Sequence, residues 1–267
     1  MDSQQSNEEA VKRLREKFLS ECEKNEDLYH EIDVKRVRTE DWQTERFLIE
    51  HQNEDTAYEA LVRALQWKKS FGIHERTDQY FPREYFEFSE AHAYGRDKED
   101  RLIQWEKNKT ERKISEMNLL TKQFVAHIME KLDSSEPRKG FTLIADTNGS
   151  GISNINMDTF KFKIEITSYY PEALKSNLIV DLPWMLNSVA KIILSFCNQK
   201  LKERVHFINQ KDLVNFVDPE LIPIELGGQR DVKLVLPEGL QTMKQLPQLG
   251  LSDKVIQTYY KSFNRKF

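Results

Sequence analysis

The 267-residue sequence has only two cysteines, Cys22 and Cys197, far apart and in unlike contexts. That excludes a disulfide-stapled scaffold and points to a reducing compartment. No apolar run reaches the roughly 18 residues a spanning helix needs, so contact with a membrane is expected at its surface only. Excess positive charge is also missing. Forty Lys and Arg stand against 44 Asp and Glu, a net charge of −4, which argues against a nucleic-acid binder with its basic stripe. The N-terminus, MDSQQSNEEAVKRLREKF, is hydrophilic and charged and predicts no signal peptide. Catalytic signatures are absent as well: there is no GxxxxGK, GxSxG, HExxH or CxxC. His30, His51, His74, His92, His127 and His206 form no pair at metal-ligand spacing. No nucleophile–base arrangement emerges, so neither an enzyme nor a metal protein is expected.

One stretch imitates a calcium loop. In DTNGSGISNINM, residues 146–157, Asp146, Asn148, Ser150 and Gly151 fit the first half of an EF-hand. The twelfth position, which should be a bidentate Glu, is Met157, and Asp146 ends a buried strand rather than a helix. A Gly-rich turn capped by Asx side chains is the expected structure.

What the sequence does hold is aromatic and patterned. Its 15 Phe, 9 Tyr and 4 Trp can build a core despite a charged fraction of 31%. Charged helices are expected over 8–24, from Asp41 to about His51, and from about Thr56 to Ser70, where Gly72 stops the third. RTDQYFPREYFEFS reads as an aromatic connector. From about residue 88 the pattern becomes strand, polar turn at Gly95–Asp100, strand, then an amphipathic helix over 114–132. GFTLIAD (140–146), NLIVD (177–181) and RVHFI (204–208) are short apolar strands of the parallel, buried kind. FKFKIEIT (160–167) fits both a period of two and a helix. A crossover is needed between 146 and 177, so it is assigned as helix. The fold class is therefore α/β. After Gly228 a Leu-, Gln- and Pro-rich tail ends in TYYKSFNRKF, which reads equally as an ordered wrap, a linker or the start of something further.

A helix beginning at Pro183, a residue favoured at the first helical position, is unusually apolar. Asn187, Ser188, Lys191 and Ser195 occupy a polar arc of about 100°. Met185, Leu186, Val189, Ala190, Ile192, Ile193, Leu194, Phe196 and Cys197 fill roughly 200°, about twice what one core contact needs. Trp184 falls alone on the polar side. The wheel fits a helix buried between sheet and loops as well as one with two apolar duties.

Several pieces, in order, resemble the CRAL-TRIO family of lipid carriers. DWQTERFLIEHQNEDTAYEALVRALQWKKSFGI is similar to the family's N-terminal helical unit, with Trp67-Lys68-Lys69 at its end. YGRDKEDRLIQW resembles the family's Gly-x-Asp-x-x-Gly-Arg-Pro hairpin. SYYPEAL followed by NLIVDLPWMLNSVAKII resembles its Tyr-Pro-Glu-x-Leu segment, strand and Pro-led gating helix. RVHFI with LIPIELGG resembles its last strand and Gly-Gly closing motif. The match covers about residues 40–230, and the Pro183–Ile193 run is most like the motile sperm domain-containing group. Members of that group continue into a second domain and a membrane anchor, and neither is expected in these 267 residues.

The resemblance implies a non-enzymatic protein that binds, and transfers between membranes, a phospholipid or other hydrophobic ligand, with no cofactor besides the lipid. It implies an N-terminal helical unit over 8–75, a lipid-binding domain over 80–230 with a mainly parallel sheet, and an extension over 231–267. The helix at 183–198 would gate a hydrophobic cavity lined by Leu186, Val189, Ala190, Ile193, Leu143, Ile179 and Phe207. Trp184, Met185 and Lys191 would meet the membrane, with the indole at headgroup level. Head-group positions map to Arg204, Glu172 and His51, Arg204 standing where the family has Lys. Departures are also visible. Glu50, His51 and Gln52 replace a basic trio of the phosphatidylinositol binders, and Leu201 replaces a Thr. Little preference for phosphoinositides is therefore expected. The chain is expected to be cytoplasmic and peripheral at membranes. The rival expectation is a membrane-docking or adaptor module with an unused or collapsed pocket.

Overall fold

A computed structural model describes residues 2–51 and 53–266. The chain divides into two compact units, one made of the chain up to Arg76 with residues 165–173, the other of 77–164 with the chain from Leu174 onward.

The first unit is helical. Helix α1 (Asp2–Lys24) places Val11, Leu14, Phe18 and Cys22 on one buried stripe by their spacing of three and four. Helices α2 (Glu31–Thr39), α3 (Trp42–His51) and α4 (Glu54–Phe71) complete the layer, and Phe47, Ala57, Leu61 and Ala64 pack against Phe18. The ends of α4 are chemically marked. The Asn53 side chain accepts from the N–H groups of Asp55 and Thr56, and Gly72 closes the helix at φ 69°. Helix α2 was not expected from the sequence, because a single buried apolar residue, Val37, leaves too little periodicity to see.

In the second unit, helix α5 (Arg83–Phe88) occupies the stretch expected to be a connector. Strands β1 (His92–Arg96) and β2 (Leu102–Lys107) form an antiparallel pair. They are followed by α6 (Asn118–Ser135), β3 (Phe141–Asp146), α7 (Met157–Thr167), β4 (Leu174–Val180), α8 (Asn187–Ser195), α9 (Gln199–Glu203) and β5 (Val205–Ile208). The strand order is β1-β2-β3-β4-β5, with every pair after the first parallel. The doubtful segment 160–167 is helical, as the crossover required.

Sequential parallel strands joined by right-handed crossovers put their connecting helices on one face of the sheet. The other face is sealed differently. Ile103, Trp105, Ile144, Leu178 and Val180 are buried there with Leu213, Val217, Ile222 and Leu226 from the chain that follows β5. Gly228 allows the close return of that chain, since a Cβ there would lie 2.1 Å from the Ile222 carbonyl oxygen. The tail is an ordered wrap ending in helix α10 (Asp253–Ser262), whose Ile256 and Tyr259 join Phe81, Tyr85, Phe88 and Phe124. Buried Glu84 clamps it, accepting from the Met243 N–H at 3.0 Å and from the Tyr260 hydroxyl.

The helix expected to begin at Pro183 is a correction. Pro183 has an extended ψ of 135° and caps a 3-10 turn over Trp184–Leu186, and the α-helix starts only at Asn187. It ends at Ser195, so Phe196 and Cys197 lie in the following turn rather than on the helical wheel. Strand β4 starts at Leu174, three residues earlier than expected. The calcium-like loop is an Asx-capped turn, in which Asp146 Oδ1 accepts from the Asn148 N–H at 2.9 Å and Gly149 takes φ 73°.

Candidate functional site

Alternation along the strands assigns each side chain to a face. Ile144, Leu178 and Val180 point to the sealed side, so Leu143, Asn177 and Ile179 point to the helix side. The parallel register pairs Ile179 with Phe207, and Gln104 with Leu143, which pairs in turn with Asn177. Leu143, Ile179 and Phe207 therefore share one face across three strands. Helix α7 covers part of that face, because its Lys163 reaches Glu106 of β2 at 3.0 Å and Glu111 at 2.9 Å. Burial would lower the pKa of the Lys163 ammonium, but the two carboxylates more than reverse this and hold it above the usual lysine range.

The rest of this face is incompletely covered. Leu143 and Ile179 are half-buried, and Phe207 keeps 48% of its surface exposed. Helix α8, the crossover from β4 to β5, has no buried residue. Val189, Ala190 and Ile193 are half-buried along one row, with Leu186 and Cys197 buried at its two ends. Ile192 and Lys191 face out. Trp184, in the 3-10 turn, is 81% exposed, and Met185 beside it is 49% exposed. Phe196, beyond the other end of α8, is covered on one side by Lys161 of α7, 5.0 Å from its ring. Trp184 follows the C-terminal end of β4, and α9 leads into the N-terminal end of β5.

Arg204 lies at that N-terminal edge, as the C-cap of α9, and its Nη1 donates to the Leu174 carbonyl at 3.0 Å. In the helical unit, Glu172 is buried with φ 64°, in the turn that follows Tyr170 and Pro171. Arg46 of α3, itself buried, donates to the Pro171 carbonyl at 2.7 Å and so fixes this turn. Trp67 stacks on Tyr169 with ring centroids 4.3 Å apart, and the Lys68 ammonium sits 4.2 Å from the Tyr170 ring. His51 is half-buried at the end of α3. Gln52 lies outside the described residues.

Sequence reasoning missed three of these residues. Arg46 precedes the run in which basic residues were sought. Lys163 sat in a segment of undecided period. Asn177 read as the polar start of an apolar strand. Among the described residues, no cluster of His, Cys, Asp and Glu could hold a metal ion, and no helix is long and apolar enough to cross a membrane. The arrangement is a half-open apolar face with a short apolar helix beside it.

Comparison with known proteins bears on this arrangement. A family model described as the CRAL/TRIO domain matches residues 91–228, just over half of the chain. The phosphatidylinositol transfer protein CSR1 of Eremothecium gossypii is 28% identical over 148 residues, which are 54% of this chain and 33% of that protein. A CRAL-TRIO domain-containing protein of Schizosaccharomyces pombe is 23% identical over 202 residues, 71% of this chain and 45% of that one. Patellin-5 of Arabidopsis thaliana is 21% identical over 202 residues, 64% and 29% of the two chains. The chain thus spans only 29–45% of the length of these relatives. The crystal structure of Sfh5 shares the fold, with a TM-score of 0.67 over 95% of this chain and 98% of that one at 16% identity.

Proposed function

The chain belongs to the CRAL/TRIO domain family, whose members bind and transfer lipids rather than catalyse reactions, and on that footing we propose that it carries a single lipid against the helix side of its sheet. The observation that supports this reading is the pairing of a half-open apolar face with a nine-residue apolar helix that has no buried residue. Leu143, Ile179 and Phe207 form the floor, and Leu186, Val189, Ala190 and Ile193 of the α8 region form the lid. An α8 that lifts exposes the floor to a bilayer, with Trp184 and Met185 entering the interface and Lys191 near anionic lipid at about 1 kcal/mol at most. Each methylene removed from water gains ~0.8 kcal/mol, but a bilayer offers the same, so the lid sets the rate of exchange more than its equilibrium.

In this reading the chain works in the cytoplasm as a peripheral visitor to membranes. Arg204 serves the head group. The relative from Eremothecium gossypii is a phosphatidylinositol transfer protein, yet here Glu50 and His51 stand in place of basic residues. The head-group end therefore discriminates weakly. Transfer between liposomes should proceed with phosphatidylinositol and phosphatidylcholine at rates within about threefold of each other. A large preference for phosphatidylinositol that is lost in Arg204→Ala would contradict this.

A further inference from the structure

Several exposed apolar residues of the second unit have carboxylates close by in the chain. Leu119 follows Glu116, Ile224 precedes Glu225, and Val235 lies between Asp231 and Glu238. The crossover that carries α8 and α9 is different. From Leu182 to Lys202 it holds Lys191, Lys200 and Lys202 and no Asp or Glu, in a chain with 44 carboxylate side chains in 267 residues. The same stretch exposes Trp184 and Met185 ahead of α8, Ile192 on it and Phe196 just beyond it, the last two keeping 52% and 47% of their surface. Ile192 and Phe196 are four apart, and Phe196 still has helical backbone at φ −82° and ψ −15°, so the two adjoin on the outer side. Lys191 is exposed beside Ile192. Lys202 is exposed too, and its ammonium offsets part of the rise that burial gives the Cys197 thiol, which places it near this end of α8. Helix α7 adds Lys161 against the Phe196 ring, but Asp158, three residues before it and also exposed, balances that charge.

The geometry points to the α8–α9 crossover as a docking face for an anionic bilayer leaflet, with α8 lying lengthwise in the interface. Three features select this partner. The charge of the crossover has one sign, and each ammonium held near an anionic surface strengthens binding by about fivefold. The outer side of α8 is a convex row, not a groove that would seat a protein segment, and the helix has no buried residue to hold it down. Its composition, Trp, Ile and Phe flanked by lysines, is that of helices that lie in the plane of the interface. The apolar anchors stand at both ends of a nine-residue helix about 13 Å long, Trp184 and Met185 at one and Phe196 at the other. The helix therefore meets the interface along its length, and its lysines extend to the phosphates at headgroup level. This docking face rests on the reading of α8 as the lid of a carrier. It adds a regulation: the charge of the leaflet selects where the lid opens, whereas the head group of the cargo is met separately, at Arg204.

The test measures binding of the full chain to sedimented vesicles of phosphatidylcholine, alone or with about 30% phosphatidylserine. The docking face expects binding at least about tenfold tighter on the anionic vesicles at low salt, shrinking as ionic strength rises. Lys200→Gln with Lys202→Gln should lose about tenfold on anionic vesicles and nothing on neutral ones. Lys191→Gln alone should lose about fivefold in the same selective way, and covers the case in which the double variant does not fold. Phe196→Ser should weaken binding to both kinds of vesicle. Lys233→Gln, which removes a lysine outside the crossover, should change neither. Equal binding to the two vesicles, or an anionic preference that survives in the lysine variants, overturns the docking face. Binding to neither overturns the bilayer as its occupant and leaves an acidic protein surface for the lysines to meet. The re-isolated chain is also weighed by mass spectrometry for lipid carried off. A chain that holds lipid without the anionic preference leaves the carrier reading standing, and a chain that never holds lipid overturns that reading and the regulation of its lid with it.

Discussion

The two faces of the sheet carry similar hydrocarbon and bury it to different degrees. On one, Ile103, Ile144, Leu178 and Val180 are fully enclosed by Leu213, Val217, Ile222 and Leu226. On the other, Leu143 and Ile179 are half-buried, Phe207 is open, and the neighbouring helix α8 buries none of its residues. The difference lies in the cover. The sealed face is closed by chain that returns through the tight Gly227–Gly228 turn and is held by backbone hydrogen bonds such as Arg230 N–H to the Ile222 carbonyl, 2.9 Å. The open face depends on a short helix whose row of contacts is thin. Hydrophobicity in the sequence marks both faces alike, and only the cover separates a core from a binding surface.

Adjacent residues of β3 give the sharpest contrast. Ile144→Ala, on the sealed face, should cost about 2–5 kcal/mol, the usual price of a cavity in a core. Thermal unfolding should register this as a drop of roughly 2–4 °C per kcal/mol. Leu143→Ala, one residue away on the open face, should cost no more than about 1 kcal/mol because the site is only half-buried. Equal losses in the two variants would erase the distinction between the faces. A smaller effect is expected where the C-terminal wrap is clamped. Glu84→Ala strands the buried Met243 N–H and removes the partner of Tyr260, at about 1–3 kcal/mol. Limited proteolysis should then cut near residues 238–250 before the sheet is attacked, and cleavage elsewhere first would show that the wrap is not held there.

The smallest effect on stability belongs to Trp184→Glu. An indole 81% exposed has little packing to lose, so the melting midpoint should move by less than about 2 °C. Flotation with liposomes should nevertheless fall severalfold, because the interfacial anchor is gone. A fall of many degrees would make Trp184 a packing residue and remove it from the membrane contact.

Much of the fold could be read in advance because its strands are short apolar runs separated by helix-length segments. The need for a crossover resolved the ambiguous segment at 160–167 correctly. Reading failed where local pattern is weak. Helix α5 is six residues long, and α2 has a single buried apolar residue. Pro183 misled because its favourable φ was read without its ψ, which is extended and starts a 3-10 turn. Helix α10 was invisible because its stripe, Ile256 and Tyr259, makes sense only against Phe81, Tyr85 and Phe88, far away in sequence. At the site, the apolar residues on α8 and the strands were nameable from periodicity and resemblance. Of the polar ones, Arg204, Glu172 and His51 were nameable from the resemblance alone, and Arg46 was not. Arg46 takes its meaning from the Pro171 carbonyl that it bonds, far away in sequence.

Native mass spectrometry of the full chain and of Ile193→Glu, each exposed to vesicles, tests the central claim most directly. Ile193 is half-buried on the inner row of α8, so a carboxylate there should spoil the lid while leaving the sealed core intact. The account predicts a wild-type mass raised by one lipid, and an Ile193→Glu protein that melts within a few degrees of wild type but appears at the mass of the bare polypeptide. A bare wild-type mass would support the adaptor reading, and an Ile193→Glu chain that does not fold would show α8 to be core; either result would contradict a movable lid over a lipid-binding face.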